Sequence, residues 1–325
     1  MQEPVALPLI DQVDRQDEWL DARRKGLGGS DVAALFGCSP WVSPWTLYQD
    51  KIGELPKRPD DAVLSVGHEL EPLTRRMFEA ETGRKVDSAQ ERFRHPELEF
   101  MLANIDGSLD PVEDFVGRGV FEGKTTNPYA KQDWLQGVPI YYLLQITHYM
   151  IVTGRSWGSV AVLILGEDEP LMWADVELDT ELAEMMIETE TKFWRENVEQ
   201  RVPPPVDGHT ATTEALKLMH PLDTGLVTQL DETAMEWREE LTYATSNAKE
   251  AKDQVQTLKN KIRAAMGDYT YGELPDGTGF SLKTTDKKET VVKATSYRTL
   301  RNMKAAAMGK AKRAAEKTME RMLAL

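Results

Sequence analysis

Gly119-Val120-Phe121-Glu122-Gly123-Lys124 is an apolar, strand-forming run that carries two opposite charges. On a strand, residues two apart share a face, so Glu122 and Lys124 emerge side by side from a segment that otherwise belongs to a core. Taken alone, a Glu-x-Lys most often ends as an edge-strand salt bridge of small energetic consequence. Its surroundings give it weight. Asn104-Ile105-Asp106-Gly107 closes another predicted strand, Phe100 to Ile105, with a carboxylate just before a turn glycine. On adjacent strands, Asp106 and Glu122 can share one hard cation through oxygen, with the Gly123 carbonyl as a third ligand. Lys124 then stands where it can polarise or deprotonate an attacking water, or steady charge on a phosphate. A metal acidifies its water and neutralises the charge that builds on a phosphate, so two carboxylates and a lysine suit phosphodiester hydrolysis.

A third acidic group lies upstream, in Gly67-His68-Glu69-Leu70-Glu71-Pro72, where a helix running to Thr82 carries Leu70, Leu73, Met77 and Phe78 on one face. Glu71 precedes Phe78 by about two turns and borders that apolar stripe, whereas Glu69 lies about 160° round the helix from Glu71. The ordinary place for either is the surface.

Around these segments the chain alternates helical and strand periods. Asp17 to Lys25 reads as a short helix, then a Gly26-Leu27-Gly28-Gly29-Ser30-Asp31 turn in which Ser30 or Asp31 caps a helix from Val32 to Phe36. A further helix starts near Ser43-Pro44, and another runs from about Pro139 to Val152, closed by Gly154. Ser159 to Leu165 and Leu171 to Leu178 read as strands, and Thr180 to Glu199 as a helix. The expected fold is a mixed α/β core, a twisted sheet flanked by helices, over residues 1–208, with Val202-Pro203-Pro204-Pro205 marking its edge.

Residues 209–325 differ in character. Ala234, Trp237, Leu241, Ala244, Ala248, Ala251, Val255, Leu258, Ile262 and Ala265 recur three and four apart, a heptad seam stopped by Gly267. A hairpin follows, turning at Pro275-Asp276-Gly277, and a basic helix from about Ser296 closes the chain. The many alanines bury little area each, so the seam is expected to pack on that basic helix within its own chain.

The net charge is −15, but residues 287–325 hold 11 Lys/Arg and 3 Glu, a net of +8, which leaves −23 on residues 1–286. A basic tail on an acidic body is compatible with a nucleic-acid substrate, and equally with a solvated helix. Acidic clusters bind divalent metals, whose charge reverses the local field. Cys38 is the only cysteine, which excludes an internal disulfide and a thiolate metal cage. No apolar run approaches the roughly 20 residues of a membrane span, and Met1 to Ile10 lacks the basic start of a secretory signal. A cytoplasmic protein with no membrane partner is the simplest expectation. Among the remaining candidates, His148 fits a satisfied structural histidine better than a site residue, and Trp41 and Trp45 fit core packing better than base stacking.

Four segments in this order resemble the YqaJ-like viral recombinase family, relatives of phage lambda exonuclease within the PD-(D/E)xK nuclease superfamily. They are Gly26 to Asp31, Gly67 to Pro72, Asp106-Gly107 with Glu122-Gly123-Lys124, and Tyr141-Tyr142-Leu143-Leu144-Gln145 leading to His148-Tyr149. The resemblance spans about residues 15–205, and Ser296-Tyr297-Arg298 is similar to family C-termini. It implies a restriction-endonuclease-like core and a magnesium-dependent DNA exonuclease, with manganese as a substitute, acting 5′ to 3′ on duplex ends. Asp106 and Glu122 match the metal carboxylates, Gly123 the backbone ligand, Lys124 the catalytic lysine and Glu71 the helix glutamate at a second metal position. Gln145 matches the glutamine of the following helix; Arg23 or Arg24, with Ser30, matches a phosphate pocket, and Trp19 four residues before it favours Arg23. Asp110 is a second aspartate near Asp106 and stays open as its alternative. Double-stranded DNA, a single-strand annealing protein and further copies of the chain are the partners implied, in a phage or prophage setting inside a bacterium. Two other readings stand beside this one: an endonuclease using the same residues, and a non-enzymatic DNA-binding assembly protein with a relic core.

Overall fold

A computed structural model describes residues 4–7, 21–56, 62–87, 91–284 and 305–323. The chain divides into two compact units, Met1–His220 and Pro221–Leu325. In the first, β1 (Val5–Leu7), β4 (Glu91–Arg94), β5 (Met101–Ile105) and β2 (Leu27–Gly28) form one sheet in that order, with only the β5–β2 pair parallel. A second sheet runs β3 (Val86–Asp87), β6 (Gly107–Leu109), β7 (Gly119–Thr126), β8 (Trp157–Ile164) and β9 (Leu171–Glu177). Only β7 and β8 are parallel in it, and such a pair needs a crossover. The crossover carries a 3₁₀ turn, Pro128–Trp134, and the helix Ile140–Thr153. β8 is buried at all 8 positions, which is why it reads as an unbroken apolar run instead of an alternating one.

The α/β class expected from the sequence is therefore observed, with one correction. The strands ending at Ile105 and Lys124 were expected to be neighbours, yet β5 and β7 belong to different sheets. Asp106 is the bend between them: the chain leaves the first sheet at Ile105 and enters the second at Gly107, whose residue pairs with Phe121. β1 to β4 and β6, each 2 to 4 residues long, are too short for a periodic signal.

In chain order the helices of this unit are α1 (Gly29–Leu35), α2 (Pro44–Lys51), α3 (Ala62–Thr82), α4 (Ile140–Thr153), α5 (Thr180–Lys192) and α6 (Thr210–Met219). Alternation along β7 and β8 sends their side chains to two cores. Val120, Val160 and Val162 join Ile146 and Met150 of α4, whereas Phe121, Trp157 and Ala161 join Phe78 of α3. The predicted helix over 180–199 is α-helical only to Lys192 and continues as a π-helix, Phe193–Glu199. α6, absent from the sequence reading, docks through a buried Ser43–Thr212 hydroxyl pair at 2.7 Å. Residues 21–24 are helical; the rest of the predicted 17–25 helix, with Trp19, lies outside the described residues.

In the second unit α7 (Thr233–Met266) spans 34 residues, about 51 Å at 1.5 Å per residue. A hairpin follows, β10 (Tyr271–Glu273) and β11 (Gly279–Ser281), with Gly277 at φ +82° in its turn. α8 (Ala305–Leu323) has 19 residues; the stretch 285–304, including the predicted helix start at Ser296, lies outside the described residues. The expected packing of the seam on this basic helix is not found: Trp237, Leu241, Val255 and Leu258 are 47–63 % exposed. Among the described residues no helix is long and apolar enough to cross a membrane.

Candidate active site

The site is built where β7 leaves the core. Glu122 follows Val120 on the face toward α4 and is almost completely buried. One of its oxygens, Oε1, meets Lys124 Nζ at 2.5 Å and accepts from Gln145 Nε2 at 2.6 Å. The other, Oε2, is buried with no hydrogen-bond partner. Burial, with the Asp106 carboxylate nearby, pushes the Glu122 carboxyl up to about 8 despite Lys124. For Lys124 burial works the other way, but Glu122 and Asp106 outweigh it and hold the ammonium above its usual range. The same ammonium lies 5.0 Å over the Tyr142 ring.

Asp106 reaches this strand through the backbone: its Oδ2 accepts from Gly123 N at 2.9 Å. Asp110, the alternative, is exposed at the end of β6. Glu71 arrives from the opposite face of β7. A side chain on Gly123 would meet Glu71 Cγ and Thr74 Cγ2 at 3.8 Å, so α3 lies against the strand at this point. Asp106, Glu122, Lys124 and Gln145 are thus brought together, with Glu71 beside Gly123. Among the described residues no three His, Cys, Asp or Glu groups form a ready-made cage. Lys124 pairs with Glu122 and lies near enough to Asp106 to be stabilised by its charge. A buried carboxylate pair with one orphaned oxygen nevertheless fits a hard cation.

A second cluster adjoins the first. Arg23 Nη2 donates to Ser30 Oγ at 3.1 Å and Asp31 Oδ1 at 2.8 Å, whereas Arg24 turns to Asp50 and Asp21, each at 3.7 Å. Of the two arginines, only Arg23 shares a pocket with Ser30. α1 begins at Gly29 with Gly28 as its cap, not Ser30 or Asp31 as expected, because residues 29–31 are already helical; Asp31 lies in the first turn, where its Oδ2 accepts from Gly28 N at 3.0 Å. It also binds the fully buried Lys51 Nζ at 2.6 Å. Lys51 and Arg23 outweigh burial and hold the Asp31 carboxyl below the usual range, while burial pulls the Lys51 ammonium down. Neither link was read from the sequence. Its signal was present, because Leu47, Tyr48 and Lys51 are spaced to share one helix face. Asp31→Asn should strand the Lys51 charge in the core and cost about 3–5 kcal/mol in denaturant titration. In the native protein this contribution holds above the unfolded Asp pKa of about 4 and is lost as pH falls toward the depressed folded value.

Gly29 joins the two clusters. A Cβ there would stand 2.6 Å from the Tyr149 ring and 2.9 Å from the Gln145 carbonyl. Gln145 Nε2 also lies 3.1 Å from Tyr149 Oη, so Tyr149 braces the residue that holds Glu122. Gly29→Ala should cost about 1–3 kcal/mol of stability through overpacking and lower activity by displacing α4; a melting curve and a rate on the same sample check both.

His148 is satisfied as expected, fully buried between the Leu102 carbonyl at 2.9 Å and Glu190 Oε1 at 3.1 Å. Trp45 is core, but Trp41 is not. It is 56 % exposed and packs edge-on to Tyr141 at 5.1 Å, the outer member of an aromatic group that reaches Tyr142 over Lys124.

Residues 18–156 match the YqaJ-like viral recombinase domain. The chain is 32 % identical over 262 residues to the uncharacterised protein YqaJ of Bacillus subtilis, covering 79 % of this chain and 80 % of that one. The chain belongs to the YqaJ-like viral recombinase family. Among solved structures it is similar to an alkaline exonuclease of Laribacter hongkongensis, at 23 % identity, a TM-score of 0.47 and coverage of 57 % of this chain and 93 % of that one. A phage-related exonuclease of Haemophilus somnus is also similar, at 11 % identity, a TM-score of 0.41 and coverage of 55 % and 96 %. All four segments singled out in the sequence fall within or beside the matched domain, and the YqaJ-like region contains both clusters.

Proposed function

We propose that this YqaJ-like protein is a magnesium-dependent deoxyribonuclease that digests duplex DNA from its ends, 5′ to 3′, and leaves 3′ single strands for an annealing protein. The observation that carries the reading is Glu122, a buried carboxylate with one orphaned oxygen, beside Asp106 and in contact with Lys124. Burying such a charge is costly, and a structural ion pair gives no reason to leave Oε2 without a partner. Asp106 and Glu122 would hold the cation with the Gly123 carbonyl, and Glu71 would complete a second position from the far side of the strand. Bound there, magnesium, or manganese in its place, supplies an acidified water and neutralises charge on the phosphate.

The protein's own groups do the rest. Gln145 fixes the Glu122 carboxylate through Oε1 and leaves Oε2 available to the cation. Lys124 holds a proton at Nζ beside the reacting phosphate and offsets its developing charge. Arg23, with Ser30, receives a backbone phosphate and so sets which bond reaches Lys124. The nuclease domain, 1–208 by sequence, is of the restriction-endonuclease-like kind, and the helical region 209–325 supplies none of these residues. Membership of a viral recombinase family supports the end-directed mode, because annealing needs exposed single strands, and it supports a phage or prophage context in bacterial cytoplasm.

Incubation of end-labelled linear duplex and closed circular DNA, with magnesium and with chelator, tests this. The linear substrate should be shortened only with metal while the circle stays intact. A nicked circle would mean an endonuclease, and binding without cleavage of either would mean a DNA-binding assembly protein.

A further inference from the structure

The exposed seam of α7 has a pattern of its own. Its bulky members lie toward the two ends, Trp237 and Leu241 on one side and Val255, Leu258 and Ile262 on the other, with Ala244, Ala248 and Ala251 between. Charge is also divided along the helix. Residues 233–248 carry Glu236, Glu239 and Glu240 against Arg238 alone, whereas 249–266 carry Lys249, Lys252, Lys259, Lys261 and Arg263 against Glu250 and Asp253. We propose that α7 pairs antiparallel with α7 of a second copy of this chain, about a two-fold axis between Ala248 and Ala251.

In that register every seam position finds a partner of the second copy. Ala248 meets Ala251, Ala244 meets Val255, Leu241 meets Leu258, Trp237 meets Ile262 and Ala234 meets Ala265. The small central layers let the two backbones approach, and the large outer layers supply the apolar area. Four large side chains aligned on one face, each about half exposed or more, are an unusual surface for a monomer. The acidic half of each helix lies along the basic half of the other, and Glu240 flanks Lys261 of the second copy twice by symmetry. On the other flank Arg238 faces Lys259 of the second copy, the one unfavourable pair. A parallel pair would set acidic half on acidic half and leave Glu240 beside Thr245. The size pattern and the charge pattern therefore select the same orientation, independently of what the first unit does.

Sedimentation equilibrium of the full-length chain reads the association, with circular dichroism to check that each variant is folded. Glu240→Lys should weaken the dimer about tenfold, and the double variant Glu240→Lys/Lys261→Glu should restore it. Lys259→Glu should tighten it, and Leu241→Glu should abolish this contact. In a Cys38→Ser background, Leu241→Cys and Leu258→Cys should each fail to cross-link alone and form a covalent dimer when mixed. Association indifferent to both Leu241→Glu and Glu240→Lys, or a double reversal that restores nothing, overturns the proposal. So does self-cross-linking of Leu241→Cys, which would mean a parallel pair, or Leu241→Glu changing only the capture of DNA or of another protein.

Discussion

Glu122→Gln should lower metal-dependent cleavage by about three to four orders of magnitude while duplex binding survives, a loss on the scale of a missing metal ligand or general base. The amide keeps the shape of the carboxylate and can still contact Gln145, so the loss reports charge and not packing. Stability should move the opposite way. A carboxyl pushed from 4.5 to about 8 destabilises the metal-free fold as pH rises through that interval, because the unfolded chain releases its proton first. The variant should therefore melt no lower than wild type at pH 7 and lose the slope of stability between those pH values. Wild-type turnover by Glu122→Gln would remove the centre of the proposed mechanism. A melting temperature well below wild type would assign Glu122 to the scaffold.

Lys124→Met should reduce turnover about a thousandfold or more without loss of metal affinity, since an ammonium has no lone pair to give a cation. The contact to Lys124 uses Oε1 and leaves Oε2, the oxygen proposed for the cation, untouched, so removing the nearby positive charge should leave affinity equal or greater. Calorimetry of stripped protein titrated with magnesium, alongside single-turnover cleavage, separates the two effects. Metal affinity lost with cleavage kept would make Lys124 a structural counter-charge.

Much of this site was legible because it rests on short-range rules. The two-residue period put Glu122 and Lys124 on one face, the helical period put Glu71 at the border of the apolar stripe, and the order of four segments pointed to the family. What escaped was long-range. No local pattern says that β5 and β7 lie in different sheets, that Lys51 reaches Asp31, or that Tyr149 braces Gln145. Trp41 illustrates the same limit. Its apolar surroundings in sequence suggested a core, but Val42 and Trp45 take the inward positions and leave Trp41 outside. The coil seam was legible as a period, whereas whether the rest of the chain covers it is a matter of long-range packing that no local pattern supplies.

Asp106 is the one residue between β5 of one sheet and β6 of the other, and this has a bearing on how such a sequence can drift. The connection from Ile164 to Leu171 is mostly exposed, and added residues there displace little. An insertion of one residue between Ile105 and Gly107 is different in kind. It would turn every side chain of β6 to the opposite face and carry the carboxylate off the Gly123 amide. Length change among descendants of this chain should therefore accumulate between 165 and 170 and be purged at 106, leaving a fixed count of residues around the aspartate even where neighbouring letters change.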